Sequence, residues 1–186
     1  MSAFGNFFKS VNKAICAISM TGLLVSLGMA PVIAFAQPAS QQDVPQNQNF
    51  GSWTKVCSQP SGTPNIQCEI TQSARAKDRP DISFRVSFIK RPAKDQGTLL
   101  RVIVPIRVEL QLGIGIMIDG TTDMGHMPYR RCLGDSCVAE VLLNNTELAS
   151  FLNGKNATFY VFTTPQDGVG GIINLDGVKA GYNALP

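Results

Sequence analysis

The amino-acid sequence predicts a mainly β domain, either a two-sheet β-sandwich or a barrel-like fold, with one short helix and two disulfide bonds. Three observations lead to this prediction. Short β-prone runs alternate between apolar and polar residues and are separated by turn residues. A single segment carries both a helix-start and a helix-stop signal. Four cysteines follow a removable N-terminal segment, and an even number is typical of exported, disulfide-bonded domains.

The first 36 residues have the three-part order of a secretory signal peptide. Two lysines give a positive start, an uncharged and mostly apolar run follows, and Ala34-Phe35-Ala36 supplies the small side chains that a signal peptidase requires. We expect cleavage between Ala36 and Gln37. An uncleaved membrane anchor is the alternative, because the apolar run is almost long enough to span a bilayer. Two glycines and a proline in that run weaken the anchor interpretation.

Cleavage leaves 150 residues, which is enough for one domain with a hydrophobic core. Residues 37–49 are rich in Gln, Asn and Pro and are predicted to be a disordered leader. A single β domain is expected to occupy residues 50–186. Its sole tryptophan, Trp53, is predicted to pack in the core.

The charge of the mature chain argues against a nucleic-acid partner. The net charge falls from +3 to +1 when the two signal-peptide lysines are removed, and no lysine-rich block remains. The densest basic stretch, residues 75–79, contains Asp78 and is predicted to be a solvated turn and not a phosphate or glycan contact.

The four remaining cysteines, Cys57, Cys68, Cys132 and Cys137, allow three disulfide pairings. Closeness in sequence and turn-rich links favour Cys57–Cys68 together with Cys132–Cys137. The alternatives are a zinc site or a redox centre. Both are disfavoured because the chain has no Cys-x-x-Cys motif.

The clearest strand is residues 82–90, where apolar and polar side chains alternate with a period of two. Its apolar row is expected to face a core and its polar row, which includes Ser87, to face water. Asp95-Gln96-Gly97 is predicted to turn the chain into a partner strand, 98–104, that Pro105 ends. The other predicted strands are 50–57, 67–73, 112–119 with a possible bulge, 129–133, 137–143, 157–164 and 171–175.

One short helix is predicted over residues 145–154, with Asn145 as its cap and Gly154 as a left-handed stop. The glycine-rich run 168–171 is interpreted as a hairpin turn. Residues 178–185 fit either a strand or a helical turn.

Candidate reactive groups are few. His126 is the only histidine, and residues 120–128 around it are predicted to form a loop. Asp119, Asp123 and His126 could hold a metal ion, but nothing in the sequence fixes their geometry. No nucleophile elbow, Walker loop, dinucleotide fingerprint or His-Glu-x-x-His motif is present. The sequence therefore predicts a protein that is not an enzyme, with no catalytic residue, cofactor or metal.

Several segments occur in an order that is informative. Trp53, Cys57 and Cys68 precede residues 104–120, and Tyr129-Arg130-Arg131-Cys132 and residues 137–140 follow. This order resembles the invasion-associated locus B family of exported proteins from Gram-negative bacteria, from Phe50 to the C-terminus. The resemblance implies a β-sandwich-like fold, a periplasmic or outer-membrane-associated location, and a part in invasion of host cells, erythrocytes in particular. It implies no catalytic residues, and it carries over only the cysteines, as disulfide partners.

The leading hypothesis is an exported, non-enzymatic envelope protein that acts in invasion by binding a host or envelope partner. One alternative is a periplasmic housekeeping or folding factor that affects invasion indirectly. Another is a small outer-membrane β-barrel, which the short predicted strands disfavour. The sequence leaves the partner and the oligomeric state unknown and is compatible with peripheral membrane association.

Overall fold

A computed structural model describes residues 47–91 and 97–186 of the chain. These residues form eleven strands and two helices. In chain order they are β1 (Gln48–Phe50), β2 (Trp53–Ser58), β3 (Gln67–Arg75), β4 (Ser83–Lys90), β5 (Thr98–Pro105), β6 (Ile114–Ile118), β7 (Thr122–Met127), β8 (Tyr129–Leu133), β9 (Ser136–Leu143), α1 (Asn145–Asn153), β10 (Asn156–Thr164), β11 (Asp167–Asn174) and α2 (Val178–Asn183).

The strands build two antiparallel sheets, which confirms the mainly β, two-sheet prediction. The larger sheet has seven strands in the order β1-β2-β3-β4-β5-β9-β8, and the smaller has four in the order β11-β10-β6-β7. Strands β4 and β5 pair as predicted, with Ile89 opposite Leu99, and Pro105 is the last residue of β5. The predicted turn at 95–97 falls mostly in residues 92–96, outside the described residues.

The core lies between the two sheets and takes one face of each strand. In β4 the buried side chains are Phe84, Val86 and Phe88, as the alternation predicts. Four aromatic rings connect the layers in sequence. Trp53 lies 5.4 Å from Phe88, Phe88 lies 5.3 Å from Phe151 of α1, and Phe151 lies 6.4 Å from Phe159 of the smaller sheet. Trp53 is fully buried, which confirms its predicted place in the core.

Two disulfides join directly opposite residues of neighbouring strands. Cys57 of β2 is bonded to Cys68 of β3, with Cα atoms 4.1 Å apart. Cys132 of β8 is bonded to Cys137 of β9, with Cα atoms 3.9 Å apart. These are the pairs that sequence spacing favours. Each bond closes a short loop at the sheet and limits the freedom of the unfolded chain.

Helix α1 exists where predicted, but its N-cap and the conformation of its C-cap differ from the prediction. The N-cap is Asn144, whose side chain accepts a hydrogen bond from the Glu147 amide at 2.9 Å. The Glu147 carboxylate accepts one from the Asn144 amide at 2.8 Å, which completes a capping box. Gly154 ends the helix in an extended conformation and not a left-handed one. Glycine suits this site because an added Cβ would lie 2.8 Å from Ile118 Cγ2.

The glycine-rich run 168–171 is not a turn, which corrects the sequence interpretation. It lies inside strand β11, and the chain turns earlier, at residues 165–166. The glycines make room for aromatic rings of other strands. A Cβ at Gly171 would lie 2.3 Å from Phe84 Cδ2, and one at Gly170 would lie 3.0 Å from Tyr160 Cε1. Residues 178–183, undecided from sequence, form helix α2.

Order begins slightly earlier than predicted. Gln48 and Asn49 belong to edge strand β1 and pair with Lys55 and Thr54, so they are not part of a disordered leader. Polar residues can occupy an edge strand because its stability comes from backbone hydrogen bonds and needs no buried side chain. The predicted signal peptide, its cleavage site at Ala36–Gln37 and residues 37–46 of the leader lie outside the described residues.

Candidate functional site: the outer face of the seven-stranded sheet

The outer face of the seven-stranded sheet is the surface that points away from the core. We define it by three cross-strand rows. The central row is Thr71, Ser87, Arg101 and Glu140. On one side lie Ile89, Leu99 and Leu142. On the other lie Ser73, Arg85, Ile103, Val138 and Arg131.

The central row is held by hydrogen bonds and ion pairs. Arg101 Nε donates to Glu140 Oε1 at 2.7 Å, and its Nη1 lies 3.7 Å from Glu69 Oε2. Ser87, predicted to face water, is only 2% exposed, and its hydroxyl donates to the Thr71 hydroxyl at 3.1 Å. These contacts fix the side chains of four neighbouring strands, β3, β4, β5 and β9, and give the face a rigid centre.

A large cleft lies on one side of this row, at the end of the sheet where β4 begins and β5 ends. Its volume is about 690 Å³, which is within the range of ligand pockets. Polar and apolar side chains contribute about equally to its lining. It is lined by Ser73, Ala74, Arg75, Ser83, Phe84, Arg85, Ile103, Val104, Pro105, Asp135 and Ser136.

A small cleft of about 190 Å³ lies on the other side of the row. The ion-paired residues Arg101 and Glu69 both line it, and neither lines the large cleft. Its lining mixes apolar side chains, such as Val56 and Ile89, with polar ones, such as Gln67. The outer face thus offers two recesses on one sheet, each with a mixed polar and apolar lining.

The basic stretch 75–79 divides between two environments. Arg79 makes an exposed ion pair with Asp81 at 3.1 Å, and the Arg79 guanidinium hydrogen bond lowers the pKa of the Asp81 carboxyl. This end is the solvated turn that the sequence predicts. Arg75 instead ends strand β3 and lines the large cleft.

Two of the candidate metal ligands, Asp119 and Asp123, accept hydrogen bonds from backbone amides. The Asp119 carboxylate accepts hydrogen bonds from the amides of Lys155 and Asn156, at 2.9 and 2.8 Å, and so anchors the start of β10. Asp123 accepts one from the Gly125 amide at 2.8 Å. Among residues 47–91 and 97–186, no three acidic, histidine or cysteine side chains come together as metal ligands.

His126 is in strand β7 and not in the loop predicted from the sequence. It lies opposite Gly115 on the outer surface of the four-stranded sheet, and its ring centroid is 6.1 Å from that of Phe162. The ring lies beside Gly115, where an added Cβ would be in ordinary van der Waals contact with His126 Nε2 at 3.4 Å.

Sequence reasoning missed most of the residues that line the clefts. The polar row of β4, which holds Ser83 and Arg85, was visible in the alternation. Its neighbours were not, because Arg101 and Glu140 are 39 positions apart and meet only through the register of β5 on β9. Long-range register was the missing information.

Comparison with known proteins adds to this geometry. The sequence model of the family described as invasion associated locus B (IalB) protein matches residues 53–186. The chain belongs to the IalB family. The resemblance stated from the sequence is therefore confirmed, and family membership supports a role linked to invasion without naming a partner or a mechanism. No curated protein sequence matches the chain.

The fold of this IalB-family chain is similar to the crystal structure of invasion associated protein B from Bartonella henselae. The TM-score is 0.59 at 14% identity, over 75% of this chain and 93% of that one. At such low identity the similarity shows the fold alone. In the described part of the chain, neither helix has the length and apolar character needed to cross a membrane.

Proposed function

We propose that this chain is an exported, non-enzymatic envelope protein that takes part in invasion of host cells, erythrocytes in particular, by binding a partner. The observation that carries the proposal is the rigid outer face with its two clefts. A sheet surface fixed by the Arg101–Glu140 pair presents recesses without itself having to rearrange. Preorganised surfaces of this kind bind at a low entropic cost.

Two further observations support export and binding. The two cross-strand disulfides suit a domain that works in an oxidising compartment, such as the periplasm or the cell surface. The only histidine of the chain, His126, lies on the four-stranded sheet, whereas both clefts lie on the seven-stranded sheet. The side chains that line the clefts are recognition groups: guanidinium, hydroxyl and carboxylate.

A cell-binding measurement tests the proposal. The mature chain, secreted with both disulfides formed, is labelled and incubated with erythrocytes over a range of concentrations. We expect saturable binding, with strong loss after reduction and alkylation, because the binding face depends on a folded sheet. Competition with unlabelled protein separates specific binding from adsorption.

Absence of binding by the oxidised form at every accessible concentration would contradict the host-binding proposal. If deletion of the gene still lowered invasion in that case, a periplasmic housekeeping or folding role would explain the phenotype. Washing the envelope with high salt and carbonate then shows whether the protein is peripherally attached.

A further inference from the structure

The large cleft presents two arginines whose charge is available to a ligand. Arg75 and Arg85 are both exposed and lie on neighbouring strands, Arg75 opposite Ser83 and Arg85 opposite Ser73. Arg75 Nη1 donates to the Pro80 carbonyl at 3.2 Å, a contact that orients the guanidinium without neutralising it. No ion pair joins either arginine to a carboxylate within residues 47–91 and 97–186.

Hydroxyl groups and one carboxylate complete the lining. Ser73 and Ser83 lie beside the arginines, and Ser136 and Asp135 lie at the opposite end. The cleft crosses the sheet from β3 to β9, which is three strand spacings or about 14 Å. It is therefore cationic at one end, rich in small hydroxyl side chains, and able to accept hydrogen bonds from a ligand at the other end.

We propose that the large cleft binds an acidic oligosaccharide. The carboxylate, sulfate or phosphate of the sugar pairs with Arg75 and Arg85, for which arginine supplies a fork of donors. Sugar hydroxyls exchange hydrogen bonds with the serines and donate to Asp135. This inference rests on the proposed function and deepens it by naming the chemistry of the partner.

The lining favours this ligand over a nucleic acid. A polyanion of uniform charge would meet Asp135 at the far end of the cleft, and the mature chain carries a net charge of only +1. An oligosaccharide places its acid at one position and hydroxyls elsewhere, which matches the separation of the arginines from Asp135.

The test uses the secreted mature chain and three probes. Sialyllactose and lactose differ by one acidic sugar, and the phosphorylated core oligosaccharide of a lipopolysaccharide represents the bacterial envelope. We expect one of the acidic probes to bind at least tenfold more tightly than lactose. Which acidic probe binds more tightly distinguishes a host-surface source from an envelope source.

Arg75→Gln/Arg85→Gln should lower the affinity for that probe by about 100-fold, since each charge-assisted hydrogen bond contributes roughly a factor of ten or more. The matched control is Lys155→Gln/Lys179→Gln, which removes the same charge at two exposed positions that do not line the cleft. This control should bind within about twofold of wild type. The single variant Arg85→Gln, at an exposed position, serves if the double variant folds poorly.

Failure of both acidic probes to bind would overturn the inference, and so would an equal loss in the lysine control. Failure of this inference differs from failure of the proposed function. If the double arginine variant binds erythrocytes as tightly as wild type, the proposed function stands and the assignment of the ligand to the cleft fails. If the chain binds only the lipopolysaccharide core, the assignment of the ligand to the cleft stands and host binding is contradicted.

Discussion

Trp53→Ala is expected to remove about 3–5 kcal/mol of folding free energy. The tryptophan ring is fully buried and begins the chain of aromatic contacts through Phe88 that joins the two sheets. Its Nε1 also donates to the Asn174 carbonyl of β11 at 3.0 Å, a direct link from the larger sheet to the smaller. Because domains of this size are stable by about 5–15 kcal/mol, the variant should be close to unfolding at 37 °C.

Urea unfolding followed by circular dichroism measures this effect, since the variant lacks the only tryptophan. Trp53→Phe separates the two contributions: it keeps most of the buried ring but leaves the Asn174 carbonyl without its donor, so we expect an intermediate loss of about 1–3 kcal/mol. Leu133→Ala, at a site that is 66% exposed, should change stability by less than about 0.5 kcal/mol. Near-equal stabilities of Trp53→Ala and Leu133→Ala would show that Trp53 does not join the sheets.

Gly177→Ala is expected to lower the free energy of unfolding by about 3 kcal/mol, because it combines left-handed backbone strain with a steric clash. Gly177 caps helix α2 with a φ of 84°, and an added Cβ would lie 2.1 Å from the Phe50 carbonyl oxygen. Neither the Phe50 carbonyl nor helix α2 can easily move to relieve this clash. The carbonyl belongs to β1, which pairs with β2, and Lys55 Nζ donates to the Ala184 carbonyl at the end of the helix at 2.8 Å.

Gly62→Ala is the matched control. Gly62 has nearly the same φ, 82°, but an added Cβ would meet no atom within 4 Å. This variant should be destabilised only by the strain of an alanine in the left-handed conformation, about 1 kcal/mol. Thermal unfolding and limited proteolysis of the C-terminus should distinguish the two, because a displaced α2 exposes its backbone. Equal melting temperatures would mean that the contact between Gly177 and Phe50 does not constrain the fold.

Much of the fold was predictable because alternation is a local property. The apolar row of residues 82–90 gave the correct buried face, and the spacing of the cysteines favoured the pairs that the structure contains. The predictions were wrong where a residue type is determined by contact with a residue far away in the sequence. The local sequence around Gly171 indicates a turn. Position 171 is a glycine because the ring of Phe84, 87 positions earlier, occupies the space that a side chain would need.

The candidate site was less predictable for the same reason. Arg75 was grouped with a solvated turn, because the local sequence does not reveal that it ends strand β3 opposite Ser83. The large cleft takes its lining from strands β3, β4, β5 and β9, and only their register brings these residues together. Surface recognition sites of this kind leave no motif, whereas catalytic and metal sites often do.

The central claim is that this chain works outside the cytoplasm as a disulfide-stabilised binding domain. The most direct measurement is the intact mass of the native protein, recovered from fractionated bacteria and alkylated without reductant. We expect an envelope protein that begins at Gln37 and takes up no alkyl group, because its four cysteines are bonded in pairs. A cytoplasmic protein that begins at Met1 and is alkylated at Cys57, Cys68, Cys132 and Cys137 would contradict it.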